Sequence, residues 1–464
     1  MGLKIFNSKL STLTKDFDLR VDSKFYELIK DNDFVFIKNK KYPLIELRHI
    51  LEPYYEEVVF VDDKKYRGLV TSAEFFDEEG HILDYLEITK ENHPKRIRFN
   101  VKPNNIVISS LKGAIVKTML INEEKANYVW SDGFYIFNKI NDAFENDYIF
   151  YILKSKKLRD ILDERLSRGI GISAFYERDL LRLKIPQVPK TIQQIALKQI
   201  AEIEDKISEV KETIPEVQEL IEKTIEEGLS ISSFKELSNS KTKVFIKKFS
   251  DIGRKLNLRC DPKYIIFWDT THGSIFRYKG RQIPLRKILE VERPVILKKG
   301  LLKKKMILIN KEDVEPKTGV IINEDFVDKI ESDKIVFGDA DLLISKIDPF
   351  LGHVILNKKG KEFIGTTEFM SLKFKRNDNQ DFIKFLLLSD AYLQITRYVL
   401  SGKRQPRINY YDLLSLKIPD ISETEQKITS DRINVNIGDL KDKNNTLKTY
   451  REEIERILLI SLSA

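Results

Sequence analysis

The sequence has little cysteine and few histidines, and both shortages exclude kinds of site. Its 464 residues include a single cysteine, Cys260, so no internal disulfide can form. The five histidines are scattered and have no cysteine neighbours at metal-site spacing, so we predict no metal site. No apolar run approaches the ~18 residues that a membrane-spanning helix needs, and residues 1–6 lack the features of a targeting signal. We therefore expect a cytoplasmic protein that has no membrane partner.

Motifs of enzymes that act on DNA are also missing. None of the 14 prolines adjoins another, which excludes the D/N-P-P-Y/F signature of an adenine methyltransferase. No Gly-Lys pair is followed by Ser or Thr, so there is no phosphate-binding P-loop. Triplets of the E-x-K type lie on an acidic helix, where they are surface charges and not a nuclease centre. We predict no catalytic residue.

Two stretches have the apolar spacing of long helices. Residues 191–228 carry isoleucine and valine in alternating steps of three and four, and residues 420–464 repeat that spacing, which is typical of a coiled coil. The predicted seam comprises Ile200, Ile203, Ile207, Val210, Ile214, Val217, Ile221, Ile433, Ile437, Leu440, Leu447, Ile454 and Leu458. Asn444 and Arg451 occupy seam positions and would interrupt it. Pro215 should kink the first helix or divide it. We expect the helices to pack antiparallel within one chain.

The charge is distributed unevenly. The chain has a formal charge of +8, while residues 191–228 carry ten acids against four lysines and residues 424–464 are neutral, which leaves +14 on the remainder. Basic surfaces of this kind attract phosphate backbones, whereas an acidic helix does not bind DNA. The alternative is a generally lysine-rich proteome, for which the excess would be incidental.

The chain also repeats itself. Three segment pairs are similar, at offsets of 239, 236 and 233 residues: 19–26 and 258–264, 105–112 and 341–347, and 179–186 and 412–419. A slowly drifting offset indicates duplication. We predict α+β domains at 1–186 and 229–419, each followed by a long helix, at 187–228 and 420–464. Strands are predicted at 128–137, 264–268 and 363–374, and amphipathic helices at 147–166 and 381–400.

The main candidate DNA contacts lie on polar, basic loops just before each Ile-Pro pair that ends a domain, and further candidates lie in the basic run at 95–98 and near residues 112, 346–353 and 366–367. Arg and Gln can read guanine and adenine edges, and Ser, Gly and backbone amides approach phosphates closely. A solvated loop is the alternative for either stretch alone, and its occurrence at equivalent positions favours function. The predicted DNA contacts are Lys95, Arg96, Arg98, Lys112, Arg168, Ser173, Lys346, His353, Thr366, Thr367, Ser401, Lys403, Arg404, Gln405, Arg407 and Asn409.

The duplicated layout, with three motifs of the second half, resembles the specificity (S) subunits of Type I restriction-modification systems. The motifs are Leu-Ile-Ser-Lys-Ile-Asp-Pro-Phe-Leu-Gly at 343–352, Gly-Thr-Thr-Glu-Phe at 365–369 and Ser-Gly-Lys-Arg-Gln-Pro-Arg-Ile at 401–408. The resemblance covers nearly the whole chain. The first half departs from it, since residues 110–113 lack the Pro and Trp-Ser-Asp at 130–132 replaces Thr-Thr-Glu.

The resemblance implies a non-catalytic reader of double-stranded DNA. Its two duplicated mixed α/β target recognition domains would each bind half of a bipartite site, separated by two long helices that form an antiparallel coiled coil. Those helices would dock two DNA adenine methyltransferase (M) subunits, with restriction (R) subunits joining through the complex. S-adenosylmethionine, ATP and Mg²⁺ would belong to these partners, with no cofactor on this chain. A Type IIB-like specificity subunit, or a coiled-coil scaffold without DNA function, remain alternatives.

Overall fold

The computed structural model describes residues 34–464 except 73, 77–79, 113–117, 168–172, 235–260, 294, 338–341, 359–361 and 403–405. The chain divides into two units, unit 1 comprising Met1–Lys211 with Thr446–Ala464 and unit 2 comprising Glu212–Asn445. The predicted domains end before the long helices. Each observed unit, in contrast, includes one part of the helical region at 190–229 and one part of the C-terminal helix. Among the described residues, no helix is long and apolar enough to span a membrane.

Unit 1 contains eleven described strands and several helices. The strands are β1 Leu44–Glu46, β2 Leu51–Pro53, β3 Glu56–Glu57, β4 Tyr66–Leu69, β5 Leu86–Ile88, β6 Ile97–Asn100, β7 Ile106–Ser109, β8 Thr118–Leu120, β9 Tyr128–Ser131, β10 Phe134–Lys139 and β11 Lys184–Pro186. The helices are α1 Asn146–Lys154, α2 Lys156–Ile161 with a π-helical turn at Leu162–Leu166, α3 Glu177–Leu181 and α4 Lys190–Glu212, with 3-10 turns at Leu47–His49 and Lys125–Asn127.

Unit 2 repeats this order of elements. Its described strands are β12 Ser232–Ser233, β13 Phe276–Arg277, β14 Gln282–Pro284, β15 Leu289–Val291, β16 Val295–Leu297, β17 Gly300–Ile309, β18 Asp325–Ile330, β19 Lys334–Val336, β20 Leu342–Ser345, β21 Val354–Leu356, β22 Phe363–Gly365, β23 Phe369–Phe374 and β24 Lys417–Pro419. The helices are α5 Val217–Leu229, α6 Pro262–Thr271, α7 Gln380–Leu386, α8 Asp390–Val399 and α9 Tyr410–Ser415, with 3-10 turns at Leu285–Lys287, Lys311–Asp313 and Pro349–Leu351. The last helix, α10 Glu423–Ser463, begins in unit 2, and its residues from Thr446 onward belong to unit 1.

The sheets of the two units have the same strand order. A four-stranded sheet runs β2-β10-β7-β8 in unit 1 and β15-β23-β20-β21 in unit 2. A five-stranded sheet runs β3-β6-β9-β4-β5 and β16-β19-β22-β17-β18, with one parallel pair in each, β4 with β9 and β17 with β22. A two-stranded sheet pairs β1 with β11 and β14 with β24. Unit 2 therefore has a counterpart for every sheet of unit 1.

Each four-stranded sheet is the middle of three layers. In β7, Ile106 and Ile108 pack among the helices while Val107 packs against the five-stranded sheet. In β20, Leu342 and Ile344 face the helices and Leu343 the five-stranded sheet. Successive side chains of a strand point to opposite faces, so a strand covered on both faces is a continuous apolar run. This confirms the two buried strands predicted from the repeat.

The first long helix is divided at the predicted position. Helix α4 ends at Glu212 and α5 begins at Val217, with Pro215 between them. Proline lacks the amide proton and clashes with the preceding turn, so it interrupts a helix. The second long helix, α10, is continuous over 41 residues. Both helices follow a strand that ends in an Ile-Pro pair, as predicted.

A buried glutamine anchors the start of each long helix. Gln193 of α4 accepts a hydrogen bond from the amide of Glu145 and donates to the carbonyl of Val188, both at 2.8 Å. In unit 2, Gln426 of α10 accepts from the amide of Asn379 at 2.8 Å and donates to the carbonyl of Ile421 at 3.3 Å. The same side chain thus joins the helix to the residue that precedes α1 or α7.

A glutamate near the other end of each helical segment makes matching contacts. In unit 1, Glu455 of α10 accepts hydrogen bonds from the amides of Lys156 and Lys157 at the start of α2. In unit 2, Glu222 of α5 accepts from the amide of Ala391 at the start of α8. Glu222 and Glu455 are 233 residues apart, the offset of the last repeat. The long helices therefore make equivalent contacts in the two units.

Several predicted elements differ from the structure. The strand predicted at 264–268 is wrong, because these residues lie in α6, whose start is capped by the side chain of Asp261 and has Pro262 in its first turn. The stretch 128–137 is two strands of different sheets, as is 363–374. The helices predicted at 147–166 and 381–400 are each interrupted near the middle, at Ser155 and at residues 387–389, and both Ser155 and Ser389 cap the following helix.

Candidate nucleic-acid interface

The three motifs of unit 2 meet in the structure. Lys346 directly follows strand β20, and its amide donates a hydrogen bond to the carbonyl of Glu368 at 2.7 Å. The carbonyl of Lys346 accepts from the amide of Ile408 at 2.9 Å, and Ile347 pairs with Arg407 as an antiparallel bridge. Residues 345–347, 366–368 and 407–408 therefore form one site, which we call the unit 2 junction.

The loop that leads into the unit 2 junction is closed by backbone hydrogen bonds between Ser401 and Arg407. The amide of Ser401 donates to the carbonyl of Arg407 at 2.9 Å, and the amide of Arg407 donates to the carbonyl of Ser401 at 2.8 Å. Both residues are exposed. The predicted contacts Lys403, Arg404 and Gln405 lie outside the described residues.

Two basic residues, Lys346 and Arg407, lie on paired backbone segments of this junction. Lys346 is half-buried, and its pKa is lowered by burial and by the neighbouring Arg407, while Glu368 acts in the opposite direction. Thr367 is exposed, and the hydroxyl of Thr366 is buried with no hydrogen-bond partner among the described residues. The junction thus carries two basic side chains and the exposed Thr367 hydroxyl, which suit an anionic polymer.

The turn after β20 positions its other predicted contact inward. Asp348 has φ 45° and Gly352 has φ 72°, so both ends of the turn are left-handed, a conformation that Gly and Asp tolerate best. His353 is 5% exposed, and its Nδ1 lies 3.1 Å from the carbonyl of Val314. Burial lowers the pKa of His353. Its ring therefore lies inside unit 2, away from solvent.

Unit 1 has a junction of the same construction. The amide of Ser110 donates to the carbonyl of Gly133 at 3.0 Å, and the carbonyl of Ser110 accepts from the amide of Phe175 at 3.1 Å. Leu111 bridges to Ala174. Residues 109–111, 131–133 and 174–175 form this unit 1 junction, in which Ser110 corresponds to Lys346 and Ala174 to Arg407.

Predicted contacts of unit 1 lie around this junction. The amide of Lys112, which is exposed, donates to the carbonyl of Ser173 at 2.8 Å, so these two residues are brought together. Arg168 lies outside the described residues. The side chains of the basic run Lys95, Arg96 and Arg98 are exposed. The run is hydrogen-bonded to the junction, because the carbonyl of Arg96 accepts from the amide of Asp132 at 2.8 Å.

The sequence analysis did not predict two features of these surfaces. Asn409 caps α9, since its Oδ1 accepts from the amide of Asp412 at 2.9 Å. An Asn three residues before an Asp at a helix start signals such a cap and could have been recognised. Glu368, absent from the predicted contacts, is the acidic side chain that acts on Lys346. Only the fold brings it there.

The predicted seam residues are largely shielded from solvent. Those that are buried are Ile200, Ile203, Ile207, Ile221, Ile433, Leu440, Leu447 and Leu458. Those that are half-buried are Val210, Ile214, Val217, Ile437 and Ile454. Asn444 and Arg451, placed in the seam by the spacing, are exposed. Polar side chains of a straight helix can turn to solvent because the 3.6-residue turn drifts from a seven-residue repeat.

Within unit 2 the contacts between α5 and α10 run antiparallel. Glu227 lies 3.7 Å from Arg432, and Thr224 accepts a hydrogen bond from Asn436 at 3.1 Å. Lys443 donates to the carbonyl of Thr213 at 2.9 Å. Residue numbers therefore fall along one partner as they rise along the other.

Comparisons with known proteins give similar solved structures. No family model matches the chain, and no curated protein matches it. A chain described under complex assembly and conformational transition of the type I R-M system has a TM-score of 0.46 at 14% identity, covering 92% of this chain and 99% of that one. The HsdS subunit from Thermoanaerobacter tengcongensis has a TM-score of 0.34 at 13% identity, with coverages of 92% and 97%. The Type-I restriction-modification system S subunit from M. genitalium has a TM-score of 0.40 at 15% identity, with coverages of 92% and 98%.

Proposed function

We propose that the protein is the non-catalytic DNA-recognition subunit of a Type I restriction-modification enzyme. The observation that carries the proposal is the junction, which occurs once in each unit and is built there by the same backbone hydrogen bonds. In unit 2 its three segments belong to the motifs that carry the resemblance. Two equivalent readers that differ in their side chains suit two half-sites of different sequence. Each unit would then bind one half of a bipartite, asymmetric site in double-stranded DNA.

In this proposal, residues 1–186 and 229–419 are two duplicated target recognition domains. The long helices at 187–228 and 420–464 are the spacers between them. Matching strand orders support the duplication, as do the matching contacts of the two helix-anchoring glutamines. Antiparallel contacts of α5 with α10 and the shielded apolar positions support a coiled coil. The acidic 191–228 stretch suits a protein partner better than DNA.

The partners follow from the same proposal. Two adenine methyltransferase subunits would dock on the helices, and restriction subunits would join through them. S-adenosylmethionine, ATP and Mg²⁺ would be bound by those partners and not by this chain. A recognition subunit that guides modification of chromosomal DNA would work in the cytoplasm.

The test is to express the chain together with a Type I adenine methyltransferase subunit from the same host and to map the methylated sites of that host. We expect one bipartite site, with methylation on both strands and none when the chain is omitted. Methylation at a contiguous site, or methylation independent of the chain, would contradict the proposal. Cleavage on both sides of the site by the methylating complex without a restriction subunit would indicate a Type IIB-like system. Failure to retain random duplex at low salt would indicate a scaffold.

A further inference from the structure

In unit 2 a short strand that follows a long helix covers the edge of the strand beside it. Strand β12, Ser232–Ser233, follows α5 and pairs antiparallel with β13, Phe276–Arg277. Glu226 of α5 holds β12, because it accepts hydrogen bonds from the amide of Ser233 at 2.6 Å and from the Ser233 hydroxyl at 2.9 Å. Phe276 is fully buried. The edge of β13 is therefore covered from within its own unit.

The counterpart of β13 in unit 1 is residues 37–38. Val35 and Ser274 make the same parallel bridge, to β11 and to β24, so residues 37–38 correspond to 276–277. Among the described residues, no strand pairs with 37–38. Ile37 is half-buried, whereas its counterpart in β13 is fully buried. An edge of this kind presents backbone amides and carbonyls to which another strand can add.

A groove of about 450 Å³ lies along this edge of unit 1. Its walls include residues 35–38, the start of α2 and Glu455 of α10, whose carboxylate accepts hydrogen bonds from the first amides of α2. In unit 2 the counterpart of Glu455 is Glu222. Burial raises the pKa of Glu222, and a hydrogen bond with Ser233 of β12 acts in the opposite direction. The groove thus occupies, in unit 1, the place that β12 fills in unit 2.

The surroundings of the groove indicate which kind of strand fits it. Glu226, which holds β12, corresponds to Leu459 at the offset of 233, so the facing residue of the incoming strand should be apolar. The Arg277 guanidinium lies 5.0 Å from the ring centroid of Phe234, the residue after β12. Its counterpart Lys38 is exposed and suits an aromatic ring in the same way. An extended segment with an apolar residue followed by an aromatic one matches both positions.

The N-terminal residues of the chain correspond to a different stretch of unit 2. Residues 5–19 match 244–258 without a gap at the offset of 239, with Phe6 opposite Phe245 and Ser11 opposite Ser250. This match relates them to residues that follow β12 in the sequence, not to β12 itself. A second protein is therefore the better source of the strand. One wall of the groove belongs to α10, a helix that docks a methyltransferase subunit in the proposed function.

We propose that the groove of unit 1 receives an extended segment of a methyltransferase subunit, which adds a strand antiparallel to residues 37–38 and places an aromatic side chain against Lys38. This inference rests on the proposed function, from which it takes its partner. Unit 2 already holds a strand of its own at the equivalent place. The two units therefore bind their methyltransferase subunits unequally, and only the one at unit 1 donates a strand.

The experiment is hydrogen exchange of the full chain, resolved to single amides, alone and with a Type I adenine methyltransferase subunit from the same host. The amides of residues 37–38 should exchange at least about tenfold more slowly in the complex, because strand pairing protects them. The amides of 276–277 should be slow in both states. Unchanged exchange of 37–38 in the complex would overturn the inference. Slow exchange of 37–38 in the free chain would overturn it too, since the chain would then fill its own groove.

A pair of lysine variants tests the aromatic contact. Lys38→Ala should weaken binding of the methyltransferase subunit by about two- to fivefold, the effect of losing an exposed cation–π contact. Lys40 is exposed in the same loop, and Lys40→Ala, which removes the same charge, should leave the affinity unchanged. An equal loss for both variants would show a general charge effect and contradict the contact at Lys38.

A peptide probe tests the groove without the methyltransferase. The peptide with the sequence of residues 229–234 and the change Ser233→Val should slow the exchange of 37–38, and the unchanged peptide should slow it less, because Leu459 replaces Glu226. If neither peptide slows this exchange, the groove does not accept a strand and the inference fails. If the methyltransferase subunit does not bind the chain at all, the proposed function fails. If it binds and directs methylation while 37–38 exchange as before, only the donated strand fails.

Discussion

Replacing the buried glutamine that anchors each long helix should destabilise the unit that contains it. Gln193 is fully buried and makes three hydrogen bonds of 2.8 Å, from the amide of Glu145 and to the carbonyls of Ala143 and Val188. Gln193→Leu keeps the volume of the side chain and removes all three. The free energy of unfolding of unit 1 should fall.

The size of the loss follows from these contacts. Each buried hydrogen bond contributes about 1 kcal/mol net, and an amide left without a partner costs about 1–3 kcal/mol. Burying the apolar Leu side chain offsets a part of this, roughly 1 kcal/mol. We expect a net loss of about 3 kcal/mol, a change of about two orders of magnitude in the unfolding equilibrium. Gln426→Leu should cost at least as much in unit 2, because Gln426 also donates to the buried carboxylate of Asp378 at 2.9 Å, and a hydrogen bond to a charged group contributes more than one to a carbonyl.

The two tryptophans allow each unit to be followed separately. Trp130 is buried in unit 1 and Trp268 is half-buried in unit 2, so Trp130→Phe and Trp268→Phe give single-tryptophan backgrounds for urea unfolding. Gln193→Leu should shift the transition seen by Trp130. The exposed Gln199→Leu on the same helix is the control and should change the stability by less than about 0.5 kcal/mol. A loss below about 1 kcal/mol for Gln193→Leu would refute the anchoring argument.

Four further outcomes are expected. Burial raises the pKa of Glu222, so the contribution of this one group to the stability of unit 2 is fully present below the ordinary glutamate pKa and is lost as pH rises through the raised value. Unfolding measured against pH should therefore show a smaller loss of stability with rising pH in Glu222→Gln than in the wild-type chain. Pro215→Ala should extend the helix across the four residues between Glu212 and Val217, and an unchanged far-UV circular dichroism signal would contradict this. Arg404→Ala should weaken binding to the true site by about 1–3 kcal/mol if it reads a guanine, whereas equal loss on random duplex would show a phosphate contact. Seven residues added to each long helix should lengthen the spacer between the half-sites by about 10 Å, or roughly three base pairs, less any change absorbed by rotation of the domains around the duplex. Methylation mapping that finds the original spacer would refute the role of the helices in setting the distance between the half-sites.

Local sequence patterns were sufficient for much of the architecture. The drifting repeat predicted that unit 2 would copy unit 1, and the shared strand orders agree with it. The apolar runs at 106–109 and 342–345 predicted buried strands, and Pro215 predicted a break or a kink. These features depend on side-chain periodicity and on the backbone limits of proline, which act over a few residues.

Patterns shared by helices and strands were less informative. The run at 264–268 is rich in aromatic and β-branched residues, yet it is helical, because the cap at Asp261 and the following proline start a helix there. The alternation at 128–137 and 363–374 did not show where one strand passes from one sheet to the next. Propensity is weak over five residues, and tertiary packing overrides it.

The sequence by itself determined the internal repeat, the helix spacing and the residue types of the candidate contacts. Only the tertiary structure decided which of those residues meet. Lys346 and Arg407 are 61 positions apart, and a single backbone ladder from β20 to the loop before α9 brings them together, while the same ladder in unit 1 joins Ser110 and Ala174. The inward position of His353 also depends on a long-range contact, because its ring nitrogen meets the carbonyl of Val314, 39 residues earlier in the chain. Such contacts depend on long-range backbone pairing, which no local pattern specifies.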